Sequence, residues 1–499
     1  MAPGFRLRFQ IGNTISRPAP SFLPAEARDR TRLDPAAAER RTFYEARAGA
    51  RLHETNRLYQ HLIRKHYTFL VPPGQKVLEI GCSLGDLLAS VKPARGTGVD
   101  FSSNAVRLAR ERYPEMEFHC AEACEFKSAE TFDYILLSDL INELPDVQAL
   151  FNHLRRLANP HTRLVLSFFN NLWRPCLALA EKLGLKAPTM PQNWLSKDDV
   201  ENLLHLAGWE VIKIEPRILW PARLPFLGGL VNKWLAPLLP HFCLSIFMTA
   251  RPKAELVAQA HHHCSVIVPA RNEEGNIEEA VRRIPEMGLG TEIIFVEGHS
   301  TDNTWEEIQR VARAHPERRI RLLKQRTKGK GGAVREGFAA ATGDLLFILD
   351  ADLTMPPEEL PKFYEIARSG TAEFVNGVRL VYPMEQQAMQ FLNMVANKAF
   401  GVTFSWLLGQ RIKDTLCGTK VLFKTDYERI AQNRRYFGEF DPFGDFDLLF
   451  GAAKLNLRLV DLPIRYRARV YGQTNISRWR HGWQLLRMVL FAARRLKFL

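Results

Sequence analysis

The sequence predicts an α/β protein of two successive domains, each built on a parallel sheet covered by helices. Three observations carry this. Short apolar runs alternate with amphipathic segments from Lys76 to Phe169, and the alternation restarts at Cys264, as strand–helix–strand units require. The chain has 499 residues, too many for one core. Two ligand-type loops follow apolar runs: one spans Val77 to Leu88, and the other carries Asp350 and Asp352.

Residues 1–38 are rich in Pro, Ala and Arg and read as a disordered tail. Tyr44, Leu52, Leu58, Leu62 and Ile63 form an apolar stripe, which predicts a helix from Arg41 to Tyr67. KVLEI, GTGVDF, MEFHCA, FDYILLSD and RLVLSFF read as strands, with helices at GDLLASV, NAVRLARERY and VQALFNHLRRLA. WEVIKIEPRIL and CLSIFMTA add two late strands and close a first domain over 39–252. A linker over 253–262 precedes a second domain over 263–499. In that domain CSVIVPA, TEIIFVEG, RIRLLKQ and DLLFILDAD read as strands, with IEEAVRRIP, TWEEIQRVARAH and AVREGFAAA as helices.

The net charge is +14, which suits phosphorylated substrates or an anionic lipid surface. Nucleic acid is not an expected partner, because no recognition motif or aromatic–basic sheet face is present. The seven cysteines are scattered without a C-x-x-C, which argues for a reducing compartment and against disulfides or zinc knuckles. His261, His262, His263 and Cys264 read as a solvated junction rather than a metal cluster. No apolar stretch reaches the roughly 18 to 20 residues a spanning helix needs. The most apolar region, Ile218 to Thr249, is broken by Pro221, Pro225, Pro237 and Pro240 and reads as an insertion followed by a strand. Its surface could touch a membrane without crossing it.

Glu79, Gly81, Ser83 and Gly85 form E-x-G-x-S-x-G between a strand and a helix. Small residues let the chain turn sharply with its backbone close to a ligand. Asp100 ends the next strand, where a carboxylate can take both hydroxyls of a ribose, and Phe101 could pack on the base. With VLEIGCSLGDLL, GVDFSS, FHCAEACEF and FDYILLSDLINELPDV, the region from Tyr44 to about Arg251 resembles the class I S-adenosylmethionine-dependent methyltransferases. The resemblance implies a Rossmann-like sheet with S-adenosyl-L-methionine as cofactor. Gly81, Ser83 and Gly85 would cradle its amino-acid part, with Glu79 in the same set. Asp100 would bind the ribose and Glu122 would sit near the adenine amine. Ser138 and Asp139 would face cofactor and acceptor. Ser83 stands where a glycine is usual, and Glu122 where an aspartate is. Methyl transfer depends mainly on in-line alignment, so the acceptor is not legible. Asp139, Asn142 and Glu143 are either acceptor contacts or loop and capping residues.

In the second loop, carboxylates at i and i+2 on a strand tip point the same way. With a nucleoside diphosphate they suit Mg²⁺ or Mn²⁺, which keeps few protein ligands. Seven blocks surround the pair: VIVPARNEEGNI, IIFVEGHSTDNT, GKGGAVREGF, GDLLFILDADLTMPP, DTLCGTK, GDFDLLFGAAK and LPIRYRARVYG. This region, from Cys264 to about Arg480, resembles glycosyltransferase family 2, and within it the dolichyl- or polyprenyl-phosphate sugar synthases. The resemblance implies a GT-A type fold and a nucleotide-sugar donor. Pro269, Asn272, Glu273 and Glu297 would line nucleobase and ribose, and Asp350 and Asp352 would hold the metal. Lys330 and Arg335 would meet the donor phosphates. Asp445 and Asp447 match the family's D-x-E-L-L, and one could serve a hydroxyl acceptor as base. A lipid phosphate needs cations instead, and Arg379, Lys398, Arg465 and Arg469 are the candidates. Glu297 and Gly298 replace the usual aspartate pair, which leaves the nucleobase open. The tail SRWRHGWQLLRMVLFAARRLKFL reads as a basic amphipathic helix, lying either in a membrane interface or on its own domain.

The expectation is therefore a bifunctional transferase, cytoplasmic and peripheral on the cytoplasmic face of a membrane. It would move a methyl group from S-adenosyl-L-methionine and, with inversion, a sugar to a polyprenyl phosphate in glycolipid or cell-envelope synthesis. The alternative is sugar transfer to glycan or protein hydroxyls, with the first half a non-catalytic binding module.

Overall fold

The computed structural model describes residues 35–47, 57–184, 186, 189–221, 227–254, 261–379, 391–434, 445–467, 469, 471 and 478–498. The first sheet has seven strands: β1 (Lys76–Ile80), β2 (Arg95–Asp100), β3 (Glu117–Cys120), β4 (Phe132–Ser138), β5 (Ala158–Phe169), β6 (Trp209–Arg217) and β7 (Ser245–Pro252). Their order is β3-β2-β1-β4-β5-β7-β6. From β3 to β5 every pairing is parallel, whereas β7 is antiparallel to both β5 and β6. This is the doubly wound Rossmann order with one reversed strand inserted near an edge. Central strands such as β1 and β4 are buried along most of their length, as a sheet covered on both faces demands.

The second sheet contains β8 (Cys264–Ala270), β9 (Thr291–Glu297), β10 (Arg319–Lys324), β11 (Leu345–Ile348), β12 (Phe374–Val378), β13 (Lys420–Phe423) and β14 (Leu459–Pro463). Its order is β10-β9-β8-β11-β13-β12-β14. The run β10-β9-β8-β11 is parallel, and β13 enters antiparallel to β11 and β12. In both sheets the order reverses beside the first strand, so the C-terminal ends of β1 and β8 open at switch points where ligands bind.

Several boundaries differ from the sequence expectation. Of the expected helix from Arg41 to Tyr67, helix is described at Pro35–Arg47 and Arg57–Leu70, with 48–56 outside the described residues. The first begins inside the segment expected to be a tail, with Pro35 at a first-turn position that tolerates it; residues 1–34 lie outside the described residues. β5 starts at Ala158 rather than Arg163. β11 ends at Ile348, so Asp350 and Asp352 turn beyond the strand instead of sitting on it. Of the linker, 255–260 lie outside the described residues.

The two halves meet along a seam of buried charge. Arg163 on β5 donates to both oxygens of Glu373, at 2.6 and 2.7 Å, and to the Asn456 carbonyl at 2.8 Å. Arg251 on β7 donates to the Gly370 and Thr371 carbonyls at 2.8 and 3.0 Å. Arg217 on β6 reaches the Lys497 carbonyl at 2.8 Å, while the Lys497 ammonium meets Glu215 at 3.0 Å. Burial works against the Glu215 carboxylate, but Lys213, Lys497 and Arg217 together hold it well below the usual range. Asn456 Nδ2 donates to the Leu70 carbonyl at 2.9 Å.

Candidate active sites

The loop after β1 is left-handed at three positions: Gly81 at φ +76°, Ser83 at +48° and Gly85 at +77°. A Cβ on Gly85 would lie 2.8 Å from the Phe118 ring, so packing as well as the turn requires glycine there. The Ser83 N–H donates to Asp100 at 2.8 Å, and the Ser102 N–H to its other oxygen at 2.9 Å. Asp100 thus pins the loop to the tip of β2. Glu79 is buried, and its Oε2 has no hydrogen-bond partner. Burial raises its carboxyl well above the usual range, with Asp100 and Asp86 adding repulsion against a Leu88 N–H that lowers it. A cationic amino group would satisfy that orphaned oxygen, so the loop and Glu79 fit the amino-acid part of S-adenosyl-L-methionine.

The helix Pro35–Arg47 closes this pocket. Arg40 donates to Glu122 at 3.1 Å and lies 5.3 Å over the Phe101 ring. Tyr44 meets Phe101 edge-on, with centroids 5.7 Å apart, and donates to Glu143. Glu45 accepts from the Ser103 and Asn104 N–H groups at 2.7 and 3.2 Å. The cavity left beside Gly81, Asp100 and Phe101 is about 30 Å³, with Arg40 of this helix and Glu143 among its walls. Sequence reading missed Arg40 and Glu45, because the segment's Pro- and Ala-rich start masks its helical periodicity.

At the tip of β4, Ser138 is followed by Asp139 in a left-handed conformation, φ +55°. Non-glycine residues held there often mark functional sites. The hydroxyls of Tyr59 and Ser167 donate to Asp139 at 2.8 and 2.7 Å, and Tyr59 lies 3.0 Å from the Ser245 hydroxyl. Burial raises the Asp139 carboxyl, and the Ser167 and Tyr59 hydroxyls oppose it. Nearby Asn142 is buried with its Nδ2 unsatisfied. Tyr59, Ser167 and Ser245 come from a helix and two strands far apart in the chain, and no local motif announces them.

In the second half, adjacent β8 and β9 bring Pro269, Asn272, Glu273 and Glu297 to one sheet edge, with Pro269 paired to Val296. Asn272 is left-handed at φ +56° and its Oδ1 accepts the Thr301 N–H at 2.8 Å. Glu297 accepts the Ser300 N–H at 2.6 Å. Asp350 and Asp352 do not share one partner. Asp350 meets Lys330 at 2.5 Å; Asp352 meets Arg469 at 2.6 Å, and Arg469 also reaches Glu273 at 3.1 Å. Burial raises the Glu273 carboxyl to about 7, against the pull of Arg469.

Two hard carboxylates, neutralised by side-chain cations that could exchange partners, suit Mg²⁺ or Mn²⁺. The cradle is tight: a Cβ on Gly418 would collide with Asp350 and Lys330. Among the described residues no three His, Cys, Asp or Glu converge as a metal cage, so substrate and water oxygens would complete a cation's shell. Lys330 lies in the first turn of the helix Gly329–Ala340, whose N-terminal end favours anions, and the half-buried Arg335 follows on it.

Residues 52–214 match the family model of a methyltransferase domain, and residues 265–432 match that of glycosyl transferase family 2. The chain joins a methyltransferase domain to a family 2 glycosyltransferase domain. Its glycosyltransferase half is 31% identical over 218 residues to dolichol-phosphate mannosyltransferase of Pyrococcus furiosus, covering 43% of this chain and 59% of that protein. It is 41% identical over 107 residues to dolichol-phosphate mannosyltransferase of Saccharomyces cerevisiae, covering 20% and 39%. It is 36% identical over 110 residues to undecaprenyl-phosphate 4-deoxy-4-formamido-L-arabinose transferase of Pseudomonas aeruginosa, covering 21% and 32%. The chain thus spans less than two thirds of each of these relatives. On the methyltransferase side, a solved SAM-dependent methyltransferase of Thermotoga maritima, possibly a histamine N-methyltransferase, is 16% identical. It aligns over 43% of this chain and 99% of its own at a TM-score of 0.35. The Rossmann-like character of this domain lies in its strand order, β3-β2-β1-β4-β5-β7-β6.

The residues expected on the acceptor side of the glycosyltransferase domain are dispersed. Arg379, partly buried, donates to the buried Asp414 at 2.7 and 2.9 Å, and its backbone N–H joins the same carboxylate. Asp414 opens the DTLCGTK block, so its position was visible in the sequence although its partner was not. Lys398 and Arg465 are exposed. Arg469 lies on the metal-type carboxylates instead. Asp447 is buried and ion-paired to Arg434 at 2.7 Å; the Asp445 side chain lies outside the described residues.

Proposed function

We propose that the chain is a bifunctional transferase whose glycosyltransferase domain moves a sugar from a nucleotide sugar to a polyprenyl phosphate, with inversion. The observation that carries this is the cluster Lys330–Asp350 and Arg469–Asp352–Glu273, where cations and carboxylates converge beside the β8–β9 edge. A divalent cation held by Asp350 and Asp352 would neutralise the departing nucleoside diphosphate. Lys330, Arg335 and the helix end at Gly329 would bind donor phosphates, and Pro269, Asn272, Glu273 and Glu297 the nucleoside. The pairing of Asp447 with Arg434 favours an acceptor that is already anionic, since a base engaged in a buried ion pair is poorly placed to take a proton. The names of the Pyrococcus and Pseudomonas relatives point to the same acceptor class.

In the methyltransferase domain, S-adenosyl-L-methionine would supply an electrophilic methyl group. Glu79 would hold its amino group and Asp100 its ribose, while Asp139, steadied by Tyr59 and Ser167, would position the acceptor and take up a proton. We place the protein on the cytoplasmic face of a membrane, in glycolipid or cell-envelope synthesis. The test is a panel of nucleotide sugars with Mn²⁺ or Mg²⁺, with and without polyprenyl phosphate, alongside calorimetry with S-adenosyl-L-methionine. Sugar transfer that ignores the lipid phosphate would sink the acceptor, and absence of cofactor binding would sink the first activity.

A further inference from the structure

Single exposed apolar side chains are ordinary on a protein surface, but a contiguous set marks a contact surface. A band of large exposed apolar side chains crosses from one domain to the other here. It starts with Leu172 and Leu179, around the helix that follows β5. There the Trp173 indole donates to the Phe242 carbonyl at 2.9 Å. Phe242 and Leu238, 61% and 60% exposed, belong to the insertion between β6 and β7, and so does Trp234. Trp234 packs on Phe498 of the other domain, with centroids 4.8 Å apart, and Trp406 donates to the Pro237 carbonyl at 3.1 Å. The band continues along the helix Arg478–Leu496. Met488, Ala492 and Leu496 are buried on one side of that helix, while Trp483, Leu486 and Leu490 are exposed on the other.

Charge identifies what covers the band. The segments 227–242 and 478–498 contain no acidic residue, and exposed Lys233, His241, Arg487, Arg494 and Arg495 lie among the apolar side chains. Apolar and indole side chains mixed with cations fit the headgroup region of an anionic bilayer. A protein partner or second copy would not need this one-sided charge.

The geometry points to one membrane-docking face built jointly by the methyltransferase insertion and the last helix of the glycosyltransferase domain. The buried contacts of Arg217 with the Lys497 carbonyl and of Lys497 with Glu215 join the two contributions. At its methyltransferase end the band adjoins Phe169, whose ring lies 6.1 Å from that of Tyr59, the partner of Asp139. The inference deepens the proposed function and rests on it for the lipid-linked acceptor, while the docking face stands on its own contacts.

The experiment is co-sedimentation of the full chain with vesicles of phosphatidylcholine, alone and with added phosphatidylglycerol. It compares wild type with two exposed-site pairs, Leu238→Asp with Phe242→Asp and Leu486→Asp with Leu490→Asp. Binding is expected to need phosphatidylglycerol and to weaken with salt, and each pair is expected to reduce it about tenfold or more. Sugar transfer to a short-chain, water-soluble prenyl phosphate should be unchanged in both pairs. Wild-type binding by the insertion pair would overturn the joint face. So would light scattering that shows a wild-type dimer turned monomeric by either pair, because the band would then be a self-association surface. Vesicle binding without any transfer to the short-chain acceptor would keep the docking face and remove the proposed acceptor.

Discussion

One guanidinium nitrogen of Arg163 bonds both carboxylate oxygens of Glu373, at 2.6 and 2.7 Å, where neither side chain is more than 8% exposed. The two residues are 210 positions apart and belong to different domains. Removing Arg163 leaves Glu373 buried with Arg251 as a more distant cation, 3.7 Å away, so the loss approaches the roughly 3–5 kcal/mol of a broken buried pair. Arg163→Met should lower stability by that amount in urea unfolding, and adding Glu373→Met should recover much of the loss. A single variant as stable as wild type would show the pair to be solvated.

Arg469 occupies Asp352 and Glu273 at once. Arg469→Ala should therefore free both carboxylates and tighten Mn²⁺ binding about tenfold, or roughly 1.4 kcal/mol. Calorimetry with Mn²⁺ alone reads this directly. Unchanged affinity would mean that Arg469 does not compete for the cation.

Glu79 offers a buried oxygen without a partner. Glu79→Gln keeps the shape and removes the charge, so the Kd for S-adenosyl-L-methionine should rise about tenfold, the loss of one charge-assisted hydrogen bond. The thermal midpoint without cofactor should hold or rise, because an amide has no charge to desolvate. Equal cofactor affinity in the two proteins would remove Glu79 from the cofactor site.

Lys454 sits at the domain seam and donates to the Phe69 carbonyl. Burial lowers its ammonium to about 7, with Lys213 adding to the shift and Glu215 opposing it. A lysine that binds protons more weakly folded than unfolded contributes stability present above its unfolded pKa, near 10.4, and lost as pH falls through about 7. The stability difference between Lys454→Met and wild type should thus favour the variant at neutral pH and shrink towards pH of about 10. A difference that stays flat across that range would show a solvated ammonium.

Much of this fold was legible because its signals are local. Strands β1, β2, β4, β8 and β9 are apolar runs bounded by glycine or charged turns, and the glycine loop and aspartate pair end such runs. The later strands β12 to β14 are short and paired across long connections, so periodicity alone could not order them. Site chemistry divides the same way. Gly81, Asp100, Asp350 and Lys330 sit in motifs, whereas Tyr59, Ser245 and Arg40 reach their partners only through tertiary packing. Arg469 sits in a motif as well, but its ion pair with Asp352, 117 positions away, is set by tertiary packing.

β7 ends at Pro252 and β8 begins at Cys264, so only a short covalent bridge joins the halves. Alignment comes from Arg163, Arg217, Arg251 and Asn456 instead. A chain clipped inside that bridge should still travel as one particle through gel filtration. Either half made alone would present stranded ions to water. The fusion is thus a weld rather than a tether, and an inherited change at Arg163 or Glu373 would be felt by both chemistries together.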